Sequence, residues 1–217
     1  MSPMLTPSLL TFACLAAVLV LLIADWRASA TGRALAKLAA STGFVLVAVS
    51  LGAADSAYGR WVLAALVLGW VGDALLLGRA PWAFMGGLGA FLLSHGLFAT
   101  AFVQGSLALG AMGIAGGLAI LFGVAVLRWI LPHAPADFRL PVVAYLIVIL
   151  GMNIAAAGHA VAHAHWAVLL GAVLFTASDL AVARDRFVCE AYVNRLWGWP
   201  AYFVAQLVLA WSVAGVR

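Results

Sequence analysis

Two aspartates, Asp73 and Asp179, lie inside long apolar stretches of this sequence. Two carboxyl groups held close together cannot both ionise easily. One then keeps a proton while the other stays charged, which suits the pair to general acid and base work. Which of the two would start protonated is a property of the pair rather than of either residue. Around them in the same kind of stretch stand Lys37, His95, Tyr145, Asn153, Tyr202 and Gln206. A second group, His159, His163 and His165, has its first two members at the i, i+4 spacing of a helical metal pair. No carboxylate or cysteine accompanies these histidines, so a polar cap at a helix end is expected there and no metal site.

The elements that position these residues follow from composition. The chain has 217 residues, 67% hydrophobic and 8% charged, with a mean hydropathy of +1.16. Soluble domains are near half apolar and a quarter charged, so a water-soluble fold is excluded. A bilayer core needs roughly 20 apolar residues per helix, which leaves material for about eight spans and short loops. Apolar runs predict helices at 7–24, 34–53, 61–77, 83–103, 108–131, 140–161, 166–183 and 199–215. Runs such as Leu15 to Ile23 are apolar at every position, which a membrane β-barrel strand would not be. The expected fold is an all-α polytopic bundle, a single membrane domain over 1–217. Cys14 and Cys189 are separated by context and predict no disulfide.

Of the eleven basic residues, nine fall on one side: Arg27, Arg33, Lys37, Arg79, Arg128, Arg139, Arg184, Arg186 and Arg195, against Arg60 and Arg217 on the other. The positive-inside rule makes the first side cytoplasmic and puts both termini outside. The net charge of +4 therefore sets orientation and carries no nucleic-acid signal. Gly72-Asp73 and Ser178-Asp179 close two spans of the same direction, as two parallel four-helix halves would. Both acids come to ~6 Å below the cytoplasmic surface at ~1.5 Å per residue. Lys37, Tyr145, Tyr202 and Gln206 fall within ~10 Å of it, and His95 and Asn153 near the midplane at ~18 and ~20 Å. Together they outline a pocket open to the cytoplasm. In the alternative, each acid snorkels or pairs with its nearest arginine, Arg79 or Arg184. Gly69 and Gly72 would admit a neighbouring backbone beside Asp73. The stretch from Arg184 to Trp197 reads as a solvated linker able to touch lipid headgroups.

The ordered set Gly72-Asp73-Ala74-Leu75-Leu76, Gly89-Ala90-Phe91-Leu92-Leu93-Ser94-His95, Pro141-Val142 with Tyr145 and Met152, Gly171-Ala172 with Phe175, Ser178 and Asp179, and Tyr202 with Gln206 resembles the YhhN, or lysoplasmalogenase, family over essentially the whole chain. Where many members carry proline after the second-span lysine, Leu38 follows Lys37. The resemblance implies an inner-membrane hydrolase. It would cleave the vinyl ether bond of a lysophospholipid, the lysoplasmalogen, to a fatty aldehyde and a glycerophospho-base, with membrane lipids around it and no cofactor. Vinyl ether hydrolysis protonates the β-carbon and passes through an oxocarbenium-like cation, so it needs an acid and a nearby anion, the logic of glycosidases. The resemblance assigns Asp73 and Asp179 to that chemistry. Tyr145, Tyr202 and His95 would orient water or the carboxyls, Lys37 would meet the phosphate, and Asn153, Ser178 and Gln206 would support. An intramembrane aspartyl protease fits less well, because Gly69-Trp70-Val71-Gly72-Asp73 has one residue too many for Gly-x-Gly-Asp. A transporter using the acids as a proton relay is the reading from another class.

Overall fold

A computed structural model describes residues 4–78 and 80–215. Arg79 and Arg217, which enter the charge bias, lie outside these residues, as does any pairing of Asp73 with Arg79. Eight α-helices follow in order: α1 Leu5–Trp26, α2 Ala30–Ser50, α3 Ala57–Leu75, α4 Pro81–Phe102, α5 Leu109–Ile130, α6 Ala136–His163, α7 Trp166–Ala183 and α8 Tyr192–Trp211. Helices are what lipid permits, since each backbone N–H and C=O must be satisfied within its own segment. Seven of the eight are long and apolar enough to cross a membrane. The exception is α3, which carries Arg60 and Asp73. The chain is thus a multi-pass, all-helical membrane protein.

Side chains divide as this environment requires. Phe12, Leu109, Leu121 and Leu140 are at least 70% exposed, a wasteful surface in water and the expected one against lipid. The interior is aromatic: Phe44, Phe98, Phe102, Phe175 and Phe203 are fully buried. Helices pack most extensively on their sequence neighbours, α1 on α2, α3 on α4 and α7 on α8. By contrast α5 leans chiefly on α6 and buries only Ala119, Gly123, Val126 and Ile130.

Four helices start four or more residues before the expected point: α2 at Ala30 against 34, α3 at Ala57 against 61, and α6 and α8 across prolines. α6 begins at Ala136 and runs through Pro141, and α8 begins at Tyr192 and runs through Pro200. Pro141 and Pro200 stand beyond the first turn, so each leaves the carbonyl four residues earlier, Asp137 and Leu196, without its helical donor, which membrane helices tolerate where neighbours satisfy it. The linker expected between spans seven and eight is largely helical as well. α7 continues into a π-helical turn, Arg184–Val188, before α8 starts.

Candidate active site

Asp73 occupies the last turn of α3 and is almost fully buried. Its Oδ1 lies 3.0 Å from Lys37 Nζ. Its Oδ2 accepts from the Ser41 hydroxyl at 2.6 Å and the Tyr202 hydroxyl at 2.8 Å. Lys37 and Ser41 stand one turn apart on α2, so they reach the carboxyl from a single helix face. The ammonium supplies the countercharge that makes a buried carboxylate tolerable.

Asp179 has a different company. Tyr145 of α6 donates to its Oδ2 at 2.9 Å, and His95 Nε2 of α4 lies 3.2 Å from the same oxygen. His95 Nδ1 is 2.6 Å from the Phe91 carbonyl. A carbonyl only accepts, so Nδ1 carries a hydrogen and a neutral ring offers a bare Nε2 to Asp179. That Nε2 forms no in-line hydrogen bond although it is buried. The His95–Asp179 contact is therefore close but unformed.

No hydrogen bond or ion contact links the two carboxyls directly. The expected pairing of Asp73 with Asp179 is not made by direct contact: each acid is partnered separately, Asp73 by Lys37, Ser41 and Tyr202 and Asp179 by Tyr145 beside His95. The partners follow a pattern across the halves. Asp73 on α3 is met from α2 and α8, and Asp179 on α7 is met from α6 and α4. Renumbering the second half from one turns each set into the other. Between them, Phe91, Phe175 and Tyr202 meet edge to face at centroid distances of 6.2, 5.7 and 5.5 Å, a favoured geometry for aromatic clusters. His95 packs on this cluster at 4.2 Å from Phe175.

Both acids line a cavity of about 560 Å³. One wall is apolar, with Phe122, Val126, Ile130, Leu146 and Ile149 of α5 and α6. The far end carries Asp185, Arg186, Glu190, Asn194 and Arg195. A polar mouth, an acid pair within and an apolar flank make a site shaped for an amphiphile.

The remaining expected residues are placed as follows. Asn153 donates to Thr176 at 2.7 Å and to its own helix, bracing α6 against α7 just above Asp179. The Ser178 hydroxyl turns back to the Phe175 carbonyl and gives no contact to either acid. Gln206 is fully buried behind Tyr202, and its amide makes no hydrogen bond to the described residues. Gly69 and Gly72 receive side chains rather than a backbone. A Cβ at 69 would meet the Gln206 amide nitrogen at 2.8 Å, and one at 72 the Phe91 ring at 2.7 Å. Arg184 pairs with Asn194 rather than with Asp179.

His95 is where simple depth counting fails. Counted from span ends it lies far above Asp179, yet the two touch. α7 is prolonged below Ala183 by the π-turn to Val188, which puts Asp179 roughly 13 Å in, not 6 Å, at ~1.5 Å per residue. The outer histidines form a cap: His159 is buried, contacts the Phe102 carbonyl at 3.1 Å and stacks on Tyr58, while His163 meets the Ser106 carbonyl. His165, in the link between α6 and α7, has its pKa lowered by burial and then by His163 beside it.

Three contributors are absent from the sequence expectation. Ser41 was detectable only as the residue one turn from Lys37. Asp25 falls one residue outside the first apolar run, yet it is buried and holds Arg33 at 3.1 Å and Arg195 at 2.8 Å, tying α1, α2 and α8 together under the mouth. Asn194, also buried, bonds Asp185 and the Cys189 carbonyl and carries no hydropathy signal.

The helices and cavity define a polytopic membrane protein with ionisable residues lining an interior cavity. The sequence model of the YhhN family matches residues 32–213, everything from α2 to the end of α8, and the chain belongs to that family. It is 33% identical over 188 residues to a lysoplasmalogenase of Mycobacterium bovis, covering 82% of this chain and 70% of the relative. It is 34% identical over 161 residues to human lysoplasmalogenase TMEM86B, covering 71% and 64%. To bovine lysoplasmalogenase TMEM86A it is 29% identical over 162 residues, covering 72% and 66%. No solved structure matches the chain.

Proposed function

We propose that this chain is a membrane-embedded lysoplasmalogenase, a hydrolase of the vinyl ether bond of lysophospholipids. The observation that carries the reading is chemical division within one cavity: a carboxyl beside an imidazole, and a second carboxyl paired with lysine.

The steps assign themselves by this inventory. A proton held by Asp179 passes to the β-carbon of the vinyl ether, forming a C–H bond and leaving an oxocarbenium ion at the α-carbon. The Asp179 carboxylate thus created faces that cation and takes a proton from the attacking water, giving a hemiacetal. The C–O bond then breaks as the hemiacetal hydroxyl gives up its proton and the glycerol oxygen gains one, which yields the aldehyde and the glycerophospho-base and leaves Asp179 with the proton it took from water. Tyr145 fixes the orientation of Asp179. Asp73, spent on Lys37, Ser41 and Tyr202, holds α2, α3 and α8 together beside the site.

Purified protein in detergent, with no gradient, should release free aldehyde from a 1-alkenyl lysophospholipid. In D2O one deuterium should appear on the carbon next to the new carbonyl. Folded protein that releases no aldehyde would end this reading in favour of transport, and aldehyde without deuterium would remove the carbon-protonation step.

For orientation, nine basic residues against two support both termini outside and the cavity mouth at the cytoplasmic face; the membrane proposed is the inner membrane of a bacterium. A C-terminal reporter that fluoresces only in the cytoplasm should stay dark; a bright one inverts the assignment.

A further inference from the structure

The cavity wall holds three cations, Lys37, Arg186 and Arg195. Two are committed. Lys37 is bound to Asp73 at 3.0 Å, and Arg195 to Asp25 and Asp185 at 2.8 and 3.2 Å. The nearest carboxylate in sequence to Arg186 is Asp185. It is occupied by the Ala191 backbone N–H, Asn194 and Arg195.

Arg186 has no carboxylate partner among the described residues, and its guanidinium sits 4.4 Å from the centroid of the Phe84 ring. Stacking of this kind steadies the planar group while leaving its N–H edge free for a bidentate anion. The turn that carries it is π-helical, a rare widening that recurs at functional sites. Here it sends Asp185 inward to α8 while Arg186 swings to the cavity lip.

A lysophospholipid brings a permanent phosphodiester anion. Resting on the function proposed above, we propose that Arg186 is the specificity-determining residue that seats this phosphate at the mouth, with the ether-linked chain directed inward. Arg186 follows Asp179 by about two turns of one continuous element, ~10 Å, comparable with the reach of a glycerophosphate arm from the vinyl ether to its phosphorus. The lysine expected to meet the phosphate is thereby replaced: Lys37 serves Asp73, and the exposed arginine serves the ligand.

The test uses non-hydrolysable ligands, so it does not depend on turnover. Binding of 1-O-alkyl-glycerophosphocholine and of the uncharged 1-O-alkylglycerol to the full-length protein in detergent would be measured by calorimetry, alongside inorganic phosphate. Wild type should bind the phospho-compound at least tenfold more tightly than the alkylglycerol. Arg186→Gln should erase that preference with an unchanged melting temperature, Arg186→Lys should restore part of it, and Arg186→Gln should raise KM for the lysoplasmalogen at least tenfold. A preference that survives Arg186→Gln, or a wild type with none, overturns the assignment and leaves the hydrolase reading standing. Inorganic phosphate competing as well as the lipid would overturn it too, by marking a site for the free ion. A wild type that binds neither lipid overturns the hydrolase reading along with it.

Discussion

Asp179→Asn is expected to lower aldehyde release by at least ~10²-fold, the lower range for loss of a general acid. Asparagine keeps the size and can still accept from Tyr145, which now donates at 2.9 Å, so the bundle should fold. It cannot carry the proton that the proposed mechanism delivers from Asp179. Asp73→Asn should also reduce turnover by ~10²-fold by dissolving the Lys37, Ser41 and Tyr202 arrangement, although no proton is transferred from Asp73 itself. The double variant should be scarcely worse than either single, because groups serving one transition state are strongly non-additive. Turnover of purified variants, normalised to folded protein by thermal melting, measures all three. Near-normal release from folded Asp179→Asn would remove the proposed proton donor and return that residue to a structural role.

Lys37→Met should have the largest effect on stability. Removing one member of a buried ion pair strands the other and costs about 3–5 kcal/mol, whereas replacing both is often neutral. Lys37 and Asp73 are 9% and 2% exposed at the side chain, so water offers Asp73 little relief. Lys37→Met should therefore express poorly or melt far below wild type, and adding Asp73→Asn should recover most of the loss without recovering activity. A single variant that melts like wild type would show that the ammonium is not what keeps the carboxylate buried.

Much of this was legible in the sequence, for a physical reason. Lipid penalises every unsatisfied polar group, so spans announce themselves as apolar runs, and Asp73, Asp179, Lys37 and His95 stand out within them. The same penalty hides Ser41, whose hydroxyl is cheap to bury and common in spans. It hides Asp25, which sits just past the run where polarity is unremarkable. Helix entrances at Ala136 and Tyr192 were hidden because their first turns are polar and proline lies inside each. Who pairs with whom was beyond reach for another reason: partnership depends on the stagger of neighbouring helices, and the π-turn after α7 moves Asp179 to a level that residue counting does not give.

The crossing of partners between halves has a mechanical consequence. Tyr202 on Asp73 and His95 beside Asp179 act as two rivets driven through the same seam from opposite sides. Transporters with repeated halves work by rocking one half against the other about a fixed site. Here any such sliding would part both contacts at once and take the Tyr202 hydroxyl from the buried Asp73 carboxyl, a cost set where alternating access would require the seam to give.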